Sequence, residues 1–125
     1  MKKNDLKKSF FLLVVTFCVM SLNAFSQEKK SMTITGEILD MACYAGMGAS
    51  GEGHKSCAAD CISKGAPMGI LTSDGKVFLL VENHDKKDAY AEAKKHAGEQ
   101  VTATGTLSDR GGLQTLIVNE LKPKA

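Results

Sequence analysis

Two stretches of this chain, Thr33-Ile34-Thr35-Gly36-Glu37-Ile38 and Thr102-Ala103-Thr104-Gly105-Thr106-Leu107, share one design: residues alternate in polarity, and a glycine interrupts each run. Alternation with period two marks a strand that buries one face. A glycine inside such a strand marks a bulge or a sharp bend where another backbone comes close. The chain is therefore expected to contain two strands with equivalent bends. Internal duplication and shared strand propensity each account for the likeness.

The remaining segments fill in around those two. Residues 41–53 are rich in Gly and Ala and read as loop. A short helix is expected from 54 or 56 to 64, with Gly65 as its cap and Pro67 just beyond. Residues 68–72 and 77–82, joined by Ser73-Asp74-Gly75-Lys76, form a hairpin, since Asp-Gly is a strong turn signal. Residues 85–97 read as a second helix that buries Ala89, Tyr90, Ala93, His96 and Ala97, capped by Gly98. Strands at 100–107 and 113–121 follow, separated by Ser108-Asp109-Arg110-Gly111-Gly112.

The predicted fold is mostly β with two short helices: a five-stranded barrel with a Cys-bearing helix inserted between strands 1 and 2. A helix between the third and fourth of five strands, with glycines bending the first and fourth, resembles the OB-fold. A looser resemblance is to uncharacterised exported bacterial domains built as G-E-x-x-D-x-x-C, a cysteine-containing short helix and an OB-like remainder ending in V-T-x-T-G. The matching residues are Gly36, Glu37, Asp40, Cys43, the Cys57 to Cys61 segment, Val101, Thr102, Thr104 and Gly105. That resemblance implies an exported small barrel and no known activity.

The N-terminus is expected to direct export. Lys2, Lys3, Lys7 and Lys8 precede an apolar run over 10–20, and Ala24 and Ser26 suit cleavage near Ser26/Gln27. Residues 1–26 then form a signal peptide, 27–31 a short polar leader and 32–125 the domain, and the periplasm is the expected compartment. The apolar run is short of the ~20 residues a spanning helix needs, so no membrane span is expected after cleavage. Cys18 follows Phe17, where a lipobox wants a small residue, and is read as part of the signal. Removing four lysines from 16 basic residues and Asp5 from 14 acidic ones leaves 12 against 13, a net charge of −1. Nucleic acid and anionic membrane surfaces both call for a basic excess, so neither is an expected partner.

Three cysteines remain after cleavage, Cys43, Cys57 and Cys61, an odd number for an oxidising compartment. His54, Cys57 and Cys61 are spaced by three and four residues, which on a helix puts them within about 60° of arc. Cys43, in the preceding loop, is placed to fold back over that face. Three thiols and an imidazole are a recognised tetrahedral zinc set and equally suit Cu(I), for which Met41, Met47 and Met68 offer thioethers. The C-x3-C pair with a histidine resembles sites in exported copper chaperones of the cytochrome oxidase assembly type, although their thioredoxin-like fold is not the one read here.

Two functional readings stay open. In one, Cys43, His54, Cys57 and Cys61 bind copper or zinc, to hold or carry the ion without catalysis. In the other, Cys43 pairs with Cys57 or Cys61 as a structural disulfide, and the barrel is an interaction module for an envelope protein or a glycan. A Cys57–Cys61 bond within one helix fits disulfide torsions poorly. Haem attachment lacks a histidine after the second cysteine, where Ile62 stands, and dithiol redox chemistry lacks C-x-x-C. There is no complete catalytic motif, so no enzyme is expected. Glu37, Asp40 and Asp60 read as solvated carboxylates, His84 and His96 as capping or core-edge residues, and Arg110 as a loop residue near the barrel mouth.

Overall fold

The computed structural model describes residues 30–125, so the expected signal peptide and its cleavage site lie outside the described residues. Strand β1 (Ser31–Asp40) serves two neighbours: residues 31–37 pair antiparallel with β4 (Gln100–Arg110), and residues 36–40 pair antiparallel with β2 (Met68–Thr72). The handover falls at Gly36, where a Cβ would run into the Leu71 carbonyl. Gly105 has the equivalent role on β4. The register with β5 (Leu113–Pro123) shifts between Thr104 and Gly105, and a Cβ there would meet the Ile117 carbonyl. The irregularity expected from the glycines is present at Gly105, and both glycines sit where backbone approaches backbone.

The two look-alike segments are direct neighbours. Thr33 faces Thr104 and Thr35 faces Thr102 across the β1–β4 seam, with hydroxyl oxygens 2.9 Å and 3.1 Å apart. Strand β2 turns through Gly75 into β3 (Val77–Glu82), which pairs parallel with β5 and closes the barrel in the order β1-β2-β3-β5-β4. Inward residues Ile34, Ile38, Ile70, Leu80, Val101, Ala103, Leu116 and Val118 form one continuous apolar core.

Among the described residues there are three α-helices where two were expected. The additional one, α1 (Met41–Met47), occupies part of the segment read as loop. A single 3-10 turn (Glu52–His54) leads into α2 (Lys55–Ser63), and both precede β2. Helix α3 (Lys87–Lys94) lies between β3 and β4 and is shorter than the expected 85–97. After it the chain makes a short parallel bridge between Ala97 and Ile38. The buried faces of α2 and α3 are Ala58 with Ile62 and Ala89 with Ala93, pairs at spacing four that point into the barrel. Among the described residues, no helix is long and apolar enough to cross a membrane.

Candidate metal centre

The cysteine-bearing insertion is fixed at several points before any ligand is considered. Asp40 ends β1 and caps α1: its Oδ1 accepts the Ala42 N–H at 2.9 Å. Gly48, with φ 69°, closes the same helix by donating to the Tyr44 carbonyl at 2.8 Å. The Met41 N–H donates to the Pro67 carbonyl at 2.9 Å, and Glu37 Oε1 accepts the Gly51 N–H at 2.6 Å. Glu37, read from the sequence as a solvated carboxylate, thus anchors the loop. In α2 the apolar stripe Ala58–Ile62 grips the core, and Cys57 and Cys61 form the adjacent stripe at the same spacing.

The structure brings the four expected residues together as two overlapping groups. Ligand atoms of Cys43, His54 and Cys57 lie within 4.8 Å of one another, and so do those of Asp40, Cys43 and Cys61. Cys43 belongs to both. The reason is the helical rise: His54 and Cys61 are close in arc but seven residues apart, or about 10 Å along the axis. Cys43, one turn into α1, reaches both ends. Cys57 is exposed, whereas Cys43, His54 and Cys61 are half-buried, and all three cysteines are free of disulfide bonds.

Asp40 corrects the expectation that it is a solvated carboxylate. It is 1% exposed, and among the described residues it is the one buried charged side chain. Burial pushes its carboxyl up, but hydrogen bonds from the Cys43 thiol, from the Ala42 and Cys43 N–H groups and from the Cys61 thiol outweigh this and hold it below the usual carboxylate value. The effect on the thiols is reciprocal. Hydrogen bonding to Asp40, then burial and the Asp40 charge, push Cys43 up to about 12. Burial, then the charge of Asp40, raises Cys61 as well.

Two buried polar atoms at this site have no aligned hydrogen-bond partner, Asp40 Oδ2 and His54 Nε2. They lie 3.7 Å apart, too far for a hydrogen bond. Buried polar atoms are nearly always satisfied, so these two, beside the thiols, are open to a further partner. This cluster of carboxylate, imidazole and thiols can hold a metal ion. The thioethers are placed differently: Met68 is part of the barrel core, Met47 is 75% exposed, and the Met41 sulfur lies against Gly69.

Asp40 is the site residue that sequence reasoning passed over as a ligand. Its signal was a helix start: an Asp immediately before Met41-Ala42-Cys43, with Gly48 to stop the helix. The other candidates lie apart. Asp60 is exposed and paired with Lys64 at 2.6 Å, and His96 sits between Glu92 and Glu99. His84 and Arg110 line a separate open groove between the β3–α3 loop and the β4–β5 hairpin. The sequence matches no protein-family model and no curated protein.

Proposed function

We propose that this is an exported, non-catalytic binding protein that takes up one thiophilic metal ion, Cu(I) or Zn(II), through Cys43, His54, Cys57 and Cys61, for buffering or delivery in the periplasm. The observation that carries the reading is the position of Cys43, in ligand range of both groups and beside two unsatisfied buried polar atoms. Thiolates and an imidazole are the donors such ions prefer. Exposure favours exchange over a locked structural role. Cys57 opens the site to solvent, and the barrel core is made of residues other than the cysteines.

Under reducing conditions the purified protein is expected to bind one equivalent of Cu(I) or Zn(II) and to remain folded when a chelator removes it. Cys57→Ser abolishes stoichiometric binding. Mass spectrometry after export that finds a disulfide among Cys43, Cys57 and Cys61 and no retained metal overturns the proposal.

A further inference from the structure

We propose that Asp40 is itself a donor in this site and sets its metal class, favouring a divalent ion of the Zn(II) type over Cu(I). The inference rests on the metal-binding reading above and refines it: Asp40 takes the fourth position of a tetrahedral shell with Cys43, His54 and Cys57, in place of Cys61, and brings a selectivity with it. Asp40 is an anion at 1% exposure, and its basic neighbour within ion-pair range is His54. The lysine of the adjoining helix turn, Lys55, is engaged elsewhere, with Glu99 at 2.9 Å. In the metal-free protein neutral donors meet its charge, the Ala42 and Cys43 N–H groups and the Cys43 and Cys61 thiols. A thiol that binds metal as thiolate no longer donates, which leaves the buried carboxylate in need of a positive partner. A bound cation supplies that partner.

Geometry points the same way. Two oxygen or nitrogen donors about 2.0–2.2 Å from one tetrahedral zinc stand about 3.3–3.6 Å apart. Asp40 Oδ2 and His54 Nε2 are 3.7 Å apart and unpartnered, so a shift of a few tenths of an ångström lets both face one ion, with Cys43 in ligand range of each residue. The capping bond does not compete, because it uses Oδ1, and Oδ2 has no aligned partner.

The mixed donor set discriminates between the two metals. Zn(II) accepts carboxylate oxygen, imidazole nitrogen and thiolate sulfur in one shell, whereas Cu(I) favours sulfur and gains little from a carboxylate. Charge adds to this. Each thiolate formed beside Asp40 increases the negative charge of the pocket, and a dication offsets one unit more than a monocation does. The thioethers that would tip the balance to Cu(I) are occupied in the core, against Gly69 or out in solvent.

The test is Asp40→Asn, which keeps the size of the side chain and its capacity to cap α1, Asn and Asp being equivalent at that position. Zn(II) and Cu(I) affinities of the reduced protein are measured by competition with chelators specific for each. The variant is expected to lose about 10- to 100-fold in Zn(II) affinity while its Cu(I) affinity holds or rises, so the ratio moves by at least that factor. X-ray absorption of the zinc-loaded wild-type protein should show two light donors beside sulfur. The proposal is overturned if both affinities fall together, if neither moves, or if the wild-type zinc shell holds three sulfurs and a single nitrogen. Those outcomes leave metal binding itself standing, whereas a wild-type protein that binds neither metal removes both readings. If the variant fails to fold, the wild-type absorption spectrum alone decides.

Discussion

Two histidines of this protein lie beside carboxylates at nearly the same exposure, 17% for the His54 side chain and 16% for His96. Their surroundings differ completely. Both ring nitrogens of His96 are engaged, Nδ1 with Glu99 Oε2 at 2.8 Å and Nε2 with Glu92 Oε1 at 3.3 Å, and those carboxylates are about two-fifths exposed. His54 Nε2 makes no hydrogen bond and faces an acid whose side chain is wholly buried. The contrast separates a histidine that ties one turn to another from one whose Nε2 has no hydrogen-bond partner and stands among groups that could hold a metal ion. Satisfaction of the polar atoms, and not exposure or a nearby carboxylate, is what tells them apart.

Exchanging the two roles by mutation is the strongest way to break this comparison. His54→Gln is expected to weaken metal binding at least about tenfold and to leave the stability of the metal-free protein almost untouched, because Nε2 contributes no hydrogen bond. His96→Gln should do the reverse: metal affinity stays as it was, and unfolding free energy falls by about 0.5–1.5 kcal/mol. Chelator competition and denaturant unfolding on both variants decide the matter. If His96→Gln lowers metal affinity as much as His54→Gln does, the distinction drawn here is wrong.

The comparison also shows what was legible beforehand. Both strands of the hairpin match their expected bounds, Met68–Thr72 and Val77–Glu82, because alternation and an Asp-Gly turn act within a few residues of each other. The close backbone approaches at Gly36 and Gly105 were readable for the same reason. Helix α1 was not, since seven residues of Met, Ala, Cys, Tyr and Gly are too short to display a period, and its caps were the one local sign. The site was half legible. Arc around a helix brought His54, Cys57 and Cys61 together on paper, but arc ignores rise, so their division into two groups needed α1 in place. Burial of Asp40 depends on β1 ending against the inserted helices, a tertiary fact that no local pattern carries.

A pH series sharpens the contrast from the side of His96. Its hydrogen bond to Glu99 raises its proton affinity, burial opposes this, and Glu92 adds to the rise, so the folded-state value lies above the ordinary 6.5. A group whose pKa is higher in the folded state binds protons more tightly there. Its stabilising contribution is complete below the unfolded value and is lost as pH rises through the folded one. The thermal midpoint of the metal-free protein should therefore decline through that range, and the decline should flatten in His96→Gln. A variant with an unchanged slope would show that His96 is not the group responsible.

The smallest effect concerns the strut between the two histidine sites. Lys55 follows His54 and pairs with Glu99, which also holds His96, so one ion pair links the start of α2 to the turn after α3. Both side chains are about two-fifths exposed, a setting in which an ion pair stabilises little. The lysine stem has a second contact: Gly98, at φ 72°, brings its backbone so close that a Cβ there would be 2.8 Å from Lys55 Cα. Substitution by alanine removes the charge and most of the stem. If the charge matters, Lys55→Ala lowers the thermal midpoint slightly in dilute buffer, and the difference closes at about 1 M salt, where screening acts over about 3 Å. A difference that survives high salt assigns the contribution to the stem packed on Gly98, and the strut then works by contact and not by charge.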